Sequence, residues 1–283
     1  MKIAITGATG QLGQLVIQHL LQRTAAENII ALVRNADKAQ QLFDTGIQIR
    51  PFNYDQPETL AASLQGVDKL LLISANEIGR RTPQHSAVIQ AAQTAHVPYI
   101  AYTSLLNADN SPLGLAKEHI ETEKLIRDSG LSYTFLRNNW YSENYLAAVP
   151  QAIAQGTLYG AAADAKIKSA TRSDYAEAAA VVLTTAGHEA KTYELAGTEG
   201  YTLTDLAAKI SQVSGQKVQY QDLPATDYHA ALVQAGLPEG LVDVIVDADV
   251  QAQQGALDSN SRDLEQLIGH PTTNLVDAIQ AAL

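Results

Sequence analysis

The chain opens with MKIAITGATGQLGQLVIQHLL, residues 1–21, in which Gly7, Gly10 and Gly13 recur at every third position. The apolar run before the glycines, residues 2–6, predicts a buried strand. The stretch after them, residues 11–23, predicts a helix with its apolar side chains on one face. Glycine tolerates positive φ and lets other groups approach the backbone closely. The three glycines therefore mark a strand-to-helix turn with special demands on its backbone.

The same alternation of apolar runs and amphipathic segments continues to about residue 137. Strands are predicted at residues 2–6, 28–34, 47–50, 68–73, 97–103 and 131–137, and helices at residues 11–23, 37–43, 57–65, 84–95 and 113–129. Strands rich in Ile, Val and Leu that are separated by helices are typical of a parallel sheet covered on both faces. The sequence therefore predicts an α/β fold with a doubly wound parallel sheet of the Rossmann type.

In such a sheet, ligands bind beyond the carboxyl ends of the strands, where the first strand turns into the first helix. Free backbone N–H groups and the positive end of the helix dipole favour a phosphate there. By analogy with the usual dinucleotide fingerprint, Gly7 makes the turn, Gly10 lets the phosphate approach and Gly13 lets the helix pack on the strand. The spacing is G-x-x-G-x-x-G rather than G-x-G-x-x-G, and a turn that needs only flexibility is the alternative.

The residue after the second strand indicates which dinucleotide binds. An acidic residue about 20 positions after the glycines would hold the ribose hydroxyl of NAD. Here Arg34 stands in that place, whereas Glu27 precedes the strand and Asp37 lies inside the next helix. A guanidinium can hold a 2′-phosphate through paired donors, and Lys38 could add charge. The sequence predicts NADPH as the cofactor, with NADH weaker; an ordinary solvated arginine is the alternative.

Beyond residue 137 the regular alternation ends. Helices are predicted at residues 144–154 and 173–185, a strand at residues 191–195, and mainly helices from Thr202, which begins a capping-box pattern with Asp205. We therefore predict a smaller, mostly helical C-terminal lobe. The predicted domains are a dinucleotide-binding domain at residues 1–137, rejoined by residues 173–196, and a substrate-side lobe at residues 138–172 and 197–283.

Composition excludes several classes of partner. The 283 residues include 19 basic and 30 acidic side chains, for a net charge of -11, so neither nucleic acid nor a membrane surface is expected as a partner. The chain has no cysteine, and its seven histidines lack metal-ligand spacing, so no disulfide and no metal site are predicted. No targeting segment is visible, which predicts a cytoplasmic protein. The oligomeric state is left open, with a homodimer as one option.

Several further segments carry a resemblance to a known family. They are GATGQLG (7–13), VRN (33–35), LLLISAN (70–76), AYTSLL (101–106), SPLGLAKEHIETEKLI (111–126), LRNNWYSENYL (136–146), SATRSDYA (169–176) and LIGHPTT (267–273). Over essentially its whole length, the chain resembles the NmrA-like branch of the atypical short-chain dehydrogenase/reductases. That resemblance implies an NADPH-binding enzyme that passes two electrons to a small-molecule quinone.

The resemblance also implies a set of cofactor-binding positions. They are Gly7, Ala8, Thr9, Gly10, Gln11, Leu12, Arg34, Ser74, Ala75, Asn76, Asn138, Asn139, Trp140, Tyr141, Ser142, Glu143 and Arg172. The segments 74–76 and 138–143 follow predicted strands at the carboxyl edge of the sheet, which supports the assignment independently. The alternatives are turn chemistry for the two asparagines, packing between lobes for the aromatic residues and a structural salt bridge for Arg172.

The usual proton donor of short-chain dehydrogenases is absent in its usual form, because none of the twelve tyrosines is followed by lysine four positions later. A quinone that accepts a hydride becomes a phenolate-like anion, which is far less basic than an alkoxide, so water could protonate it. No flavin motif is present either. The catalytic residue is left open, with Lys117, His119 and Tyr102 as candidates, although a charged helix surface also explains the first two.

The resulting hypothesis is an NADPH-dependent, flavin-independent oxidoreductase that transfers a hydride from the nicotinamide directly to a quinone. One alternative is a non-catalytic NADP-binding redox sensor of the NmrA type. The other is a reductase of a different small electrophile. The missing Tyr/Lys pair is compatible with all three.

Overall fold

The computed structural model describes residues 1–41 and 46–283, and every described side chain except that of Lys38. The charge expected from Lys38 and the last residues of the helix predicted at 37–43 thus lie outside the described part. The chain forms two compact units. The first comprises Met1–Ala108, Lys117–Asn138 and Tyr175–Tyr193, and the second comprises Asp109–Ala116, Asn139–Asp174 and Glu194–Leu283.

The strands and helices follow one another in the order that the sequence predicts for an α/β protein. The strands are β1 (Ile3–Ile5), β2 (Ile29–Val33), β3 (Gln48–Pro51), β4 (Lys69–Leu72), β5 (Tyr99–Leu105), β6 (Ser132–Asn138), β7 (Thr157–Gly160), β8 (Lys191–Leu195) and β9 (Gln219–Asp222). The helices of the first half are α1 (Gln11–Leu21), α2 (Ala36–Gln40), α3 (Pro57–Ser63), α4 (Arg81–Thr94), α5 (Ala116–Asp128) and α6 (Ser142–Leu146). Those of the second half are α7 (Val149–Gln155), α8 (Arg172–Thr184), α9 (Leu203–Ser214), α10 (Ala225–Gln234), α11 (Glu239–Ala252), α12 (Asp263–Ile268) and α13 (Leu275–Ala281).

Seven strands form one sheet in the order β3-β2-β1-β4-β5-β6-β8. The pairs from β3 through β6 are parallel. The chain runs outward from β1 to β3 and then returns to the other side of β1, so the strand order reverses between β1 and β4. The predicted doubly wound parallel sheet is therefore confirmed. The register aligns Ile5 with Ala31 and Leu71, which brings the carboxyl ends of β1, β2 and β4 to one edge.

The central strands form because their side chains are apolar on both faces. All three residues of β1 and all five of β2 are buried, as expected for strands covered by helices on each side. Helix α1 buries Leu12, Val16, Ile17 and Leu20 along one face. Full burial of such a side chain contributes about 1.5–3 kcal/mol relative to its exposure, so these contacts dominate the stability of the sheet.

The C-terminal part is mostly helical, but it also contains a two-stranded sheet that the sequence analysis missed. Strand β7 pairs in parallel with β9, from Thr157 opposite Gln219 to Gly160 opposite Asp222. Strand β9 has the sequence QYQD and buries none of its residues, so it carries no apolar alternation that would predict a strand. The prediction of mainly helices from residue 202 onward does not include β9 for that reason.

The single helix predicted at residues 144–154 is wrong, because the structure has α6 and α7 there. Pro150 lies in the first turn of α7, where its missing N–H has no partner to lose, and it cannot continue the preceding helix. The predicted capping box is present at the start of α9. Thr202 Oγ1 accepts from the Asp205 N–H at 3.1 Å, and the Asp205 carboxylate accepts from the Thr202 N–H at 2.9 Å.

The described residues include no helix that combines the length and the apolar character needed to cross a membrane.

Candidate functional site

The turn between β1 and α1 has the geometry that its three glycines predict. Gly7 has φ +59°, a conformation that side chains disfavour. A Cβ on Gly13 would lie 2.3 Å from the Gly7 carbonyl oxygen and 2.8 Å from Ala8 Cα, so only glycine allows α1 to approach the turn this closely. Gly10 caps α1, and its N–H donates to the Gly7 oxygen at 2.9 Å.

This turn leaves backbone donors available for an anion. None of the described residues accepts a hydrogen bond from the N–H groups of Ala8, Thr9, Gln11 or Leu12. These groups lie at the N-terminus of an eleven-residue helix, where the dipole adds positive potential. Gly7, Gly10 and Gln11 are exposed. The donors and the missing Cβ atoms fit a pyrophosphate.

Arg34 lies directly after β2, at the same edge of the sheet as the glycine turn. Its side chain is 68% exposed, and its Nη1 is 3.6 Å from Glu77 Oε1. The second oxygen of Glu77 accepts from Arg80 Nη1 at 2.8 Å and from Gln84 Nε2 at 3.1 Å. Glu77 and Arg80 are not predicted from the sequence, since charged residues in a loop give no pattern that distinguishes them.

Tyr54 is a further residue that the sequence analysis missed. It follows β3, near Thr6 and Arg34. Burial raises the pKa of Tyr54, while a hydrogen bond with Thr6 and the charge of Arg34 oppose the rise. An aromatic residue just after the third predicted strand is the signal that could have identified it.

The segment of Ser74, Ala75 and Asn76 follows β4 and has no regular secondary structure, yet side chains hold its backbone. The Ser74 N–H donates to Thr103 Oγ1 at 2.8 Å. The Ala75 N–H donates to His85 Nε2 at 3.0 Å, and the Ala75 oxygen accepts from Arg81 Nε at 2.7 Å. Asn76 is exposed. The predicted residues thus lie at the carboxyl edge in an ordered segment.

All three candidate acid/base residues belong to the first unit, and two of them are buried there. Tyr102 is fully buried and His119 is 5% exposed, and the Tyr102 hydroxyl is 2.8 Å from His119 Nδ1. Burial raises the pKa of Tyr102 well above its usual value. Burial and the nearby Arg81 and His85 lower the pKa of His119. Lys117, the third candidate, is exposed near the start of α5. The burial of Tyr102 and His119 argues against direct contact with a substrate.

Asn138 ends β6, so it also lies at the carboxyl edge of the sheet. It is 5% exposed, and its backbone carbonyl oxygen accepts from the Leu106 N–H at 3.0 Å.

The remaining predicted residues belong to the second unit, where several hold the backbone together. Asn139 Nδ2 donates to the carbonyl oxygens of Lys168 and Leu257, each at 2.9 Å. Trp140 is 8% exposed. Ser142 Oγ is 2.9 Å from Ser169 Oγ, and its N–H donates to the Ala170 oxygen. These contacts give Asn139 and Ser142 structural roles whatever else they bind.

Arg172 forms the salt bridge that the sequence analysis named as the alternative to a cofactor contact. Its Nη1 is 3.4 Å from Glu143 Oε2, and its Nη2 donates to Asn144 Oδ1 at 3.0 Å. The Glu143 carboxylate also accepts from the Arg172 N–H. The guanidinium lies over the Tyr141 ring, 4.5 Å from its centroid. Tyr141, Glu143 and Arg172 therefore form one cluster within the second unit.

Comparison with known proteins gives the family. The NmrA-like family matches residues 1–279, and the chain belongs to that family. Quinone oxidoreductase 2 of Escherichia coli strain K12 is 57% identical over 98% of this chain and 97% of its own length.

Two solved structures show the same likeness in three dimensions. The crystal structure of the NADPH-dependent quinone oxidoreductase from Escherichia coli, complexed with NADPH, has a TM-score of 0.95 and 56% identity, and the alignment covers 99% of both chains. The triphenylmethane reductase of a Citrobacter species, complexed with NADP(H), has a TM-score of 0.96 and 40% identity, with 100% of both chains covered. The likeness therefore extends over the whole described fold.

Proposed function

We propose that this protein is an NADPH-dependent quinone oxidoreductase that reduces its substrate by two electrons in one hydride transfer, without a flavin. The observation that carries the proposal is the 57% identity, over almost the whole chain, to the quinone oxidoreductase of Escherichia coli. The glycine turn and Arg34 support it, since they offer donors suited to the pyrophosphate and the 2′-phosphate of NADPH.

The first unit would bind the dinucleotide. The N–H groups between Ala8 and Leu12 would hold the pyrophosphate, and Arg34 would hold the 2′-phosphate, with residues 74–76 and Asn138 beside the cofactor. Residues 139–143 and Arg172, which the resemblance assigns to cofactor binding near the nicotinamide, belong to the second unit, the predicted substrate-side lobe. The salt bridge between Arg172 and Glu143 supports a role for this pair in shaping the substrate side rather than in holding phosphate.

NADPH, when bound, supplies a hydride, and with one proton from solvent this converts a quinone to a quinol. The protein's part is to bind and orient the two reactants so that they meet at reacting distance. A quinol anion is weakly basic, so no side chain has to deliver the proton during the transfer. The burial of Tyr102 and His119 supports this view, because Tyr102 is fully buried and His119 is only 5% exposed.

A second candidate function is the reduction of another electrophile. The likeness to a triphenylmethane reductase, at 40% identity over the whole chain, favours a triphenylmethane dye as the substrate in that case. Such a substrate would accept the hydride at carbon, and its product would again be formed without an obligatory proton donor in the protein.

The decisive experiment is NADPH consumption by purified protein with benzoquinone, a triphenylmethane dye and an aldehyde as separate acceptors, with no flavin added. Consumption with benzoquinone, and no flavin absorbance in the protein, is the expected result. Consumption only with the dye would support the second candidate. Binding of NADPH with no acceptor reduced would overturn the proposal in favour of a redox sensor.

Three finer points belong to the same proposal. NADH would bind more weakly than NADPH, because it lacks the phosphate that Arg34 holds. The protein would act in the cytoplasm, which the absence of cysteine fits. Its oligomeric state is left open, with a homodimer as one option, and light scattering of the purified protein can test it.

A further inference from the structure

The Ala75 peptide is held on both of its polar atoms by two side chains from one helix. His85 Nε2 accepts from the Ala75 N–H at 3.0 Å, and Arg81 Nε donates to the Ala75 oxygen at 2.7 Å. Arg81 and His85 are four residues apart on α4, so both lie on the same face of its first turns. Two contacts from one rigid element fix both the position and the orientation of that peptide plane.

The hydrogen bonds around His85 define its proton. Because the Ala75 N–H donates to Nε2, that nitrogen has no hydrogen, and Nδ1 carries it. Nδ1 is 2.9 Å from Thr122 Oγ1, which in turn donates to the Glu118 carbonyl oxygen at 2.8 Å. His85 is fully buried, and burial and the nearby Arg81 lower its pKa to about 3. The ring is therefore neutral, and helix α5 fixes its orientation.

Arg81 is fixed in a similar way. It is 6% exposed, and its Nη1 is 3.7 Å from Glu118 Oε2 and 3.5 Å from His119 Nε2. Glu118 Oε1 accepts from the Arg81 N–H at 3.2 Å. A buried guanidinium with these neighbours cannot change rotamer without losing several contacts. The conformation of Ala75 is thus determined by a buried polar network rather than by strand pairing.

We infer that Arg81 and His85 are positioning residues, which hold the Ala75 peptide so that Ser74 and Asn76 are already placed for the dinucleotide before it binds. This inference rests on the proposed function. The segment is polar and lies after β4, at the edge where the proposed cofactor site lies. It belongs to no helix or strand, so side-chain contacts hold its backbone, with Thr103 binding the Ser74 N–H and Arg81 and His85 binding Ala75. Holding it in place in advance lowers the entropy lost on binding.

Two substitutions of His85 separate its two contacts. Asparagine places a nitrogen near the position of Nδ1, so His85→Asn keeps a donor for Thr122 and loses the acceptor for Ala75. Glutamine places an oxygen near the position of Nε2, so His85→Gln keeps the acceptor for Ala75 and loses the donor for Thr122. A structural role alone predicts similar behaviour for both variants.

The experiment measures NADPH binding by calorimetry, and exchange of the Ala75 amide hydrogen by NMR in the cofactor-free protein. For His85→Asn we expect a Kd for NADPH about tenfold higher than that of the wild type and faster exchange at Ala75. For His85→Gln we expect the Kd for NADPH and the exchange rate at Ala75 to stay near the wild-type values. In steady-state kinetics, His85→Asn should raise the KM for NADPH while kcat at saturating NADPH changes little.

Val88→Ala is the matched control, because Val88 is fully buried on the same helix and has no side-chain hydrogen bond to lose. It should lower the melting temperature and leave the Kd for NADPH unchanged. If His85→Asn does not fold, Arg81→Lys replaces it, since lysine keeps the charge near Glu118 but lacks Nε; a raised Kd is then expected.

The outcomes are distinguishable. A wild-type protein that binds no NADPH would overturn the proposed function. The inference alone would be overturned if the wild type binds NADPH and His85→Asn, or its substitute Arg81→Lys, binds it as tightly as Val88→Ala does.

Discussion

Arg34, the side chain that we assign to the 2′-phosphate, already faces a carboxylate of its own chain, Glu77. A phosphate and that carboxylate would compete for the same donors. Arg34→Ala should raise the KM for NADPH roughly 10- to 100-fold, since a hydrogen bond to a charged group contributes about 1.5–3 kcal/mol. The KM for NADH should not change. Steady-state kinetics with both cofactors checks this, and an equal loss for both would contradict the assignment.

Glu77→Gln is the companion variant, and its effect should have the opposite sign. Exposed ion pairs contribute about 0–1 kcal/mol, so removing the competing charge should lower the KM for NADPH by at most about fivefold. An increase instead would mean that Glu77 helps to bind the cofactor.

Asp249 gives a pH dependence of stability. It is 1% exposed, and it accepts hydrogen bonds from the Tyr145 hydroxyl and the Ala161 N–H, each at 2.8 Å. Burial, with a smaller contribution from Asp222, raises its pKa from 3.8 to about 6, although the hydrogen bonds oppose the rise. The folded protein therefore binds this proton more tightly than the unfolded chain does.

Because the folded protein binds the proton more tightly, stability falls as the pH rises. The stabilisation linked to Asp249 is fully present below pH 3.8 and is lost as the pH rises to about 6. The difference between the two pKa values, 3.8 and about 6, corresponds to about 3 kcal/mol. Urea unfolding of the wild type and of Asp249→Asn between pH 4 and pH 7 should show the wild type losing up to that much relative to the variant. A constant difference across this range would show that Asp249 has no raised pKa.

The close packing of α1 against the glycine turn should make the stability of the protein sensitive to a side chain at Gly13. A Cβ on Gly13 would meet backbone atoms of Gly7 and Ala8, which no rotamer change can move aside. Gly13→Ala should therefore destabilise the protein by about 1–3 kcal/mol, as overpacking does, and weaken NADPH binding. Gly240→Ala, in α11, is the control, because a Cβ there meets nothing within 4 Å. It should leave stability unchanged or raise it by up to about 1 kcal/mol. Denaturant unfolding of the two variants gives the comparison, and equal stability would refute the close packing.

Strands and helices with one buried apolar face, or with apolar residues throughout, can be predicted from the sequence. Elements that depend on backbone pairing with a distant strand cannot. Strands β1 and β2 are apolar throughout, so their positions follow from composition alone. Strand β9 is mostly polar and mostly exposed, and only its pairing with β7 makes it a strand. Pro150, in the first turn of α7, is the local signal for the break between α6 and α7.

The candidate site divides in the same way. The glycine turn and Arg34 are local features with a known spacing, so they could be identified without a structure. Arg81 and His85 could not, because their role depends on a contact with Ala75 across the fold. The predicted helix began at residue 84, whereas α4 begins at Arg81. Pro83, in its first turn, was the signal for the earlier start.

The path of the chain determines how the two units unfold, because each unit consists of three separate segments. The chain passes from one unit to the other after Ala108, Ala116, Asn138, Asp174 and Tyr193. No single cut therefore releases either unit intact. If one unit unfolds, the segments of the other unit lose their anchoring at the points where the chain crosses between the units. We therefore expect the two units to unfold together.

This coupling predicts how the cofactor changes thermal stability. A ligand that binds only the folded state at 100 times its Kd stabilises that state by about 2.7 kcal/mol. For a chain of this size, 1 kcal/mol raises the melting temperature by about 2–4 °C. Scanning calorimetry should therefore show one transition, which saturating NADPH raises by roughly 5–10 °C and equimolar NADH raises less. Arg34→Ala should reduce the shift with NADPH to that with NADH. Two transitions, of which NADPH moves only one, would show that the units unfold independently despite the crossings of the chain.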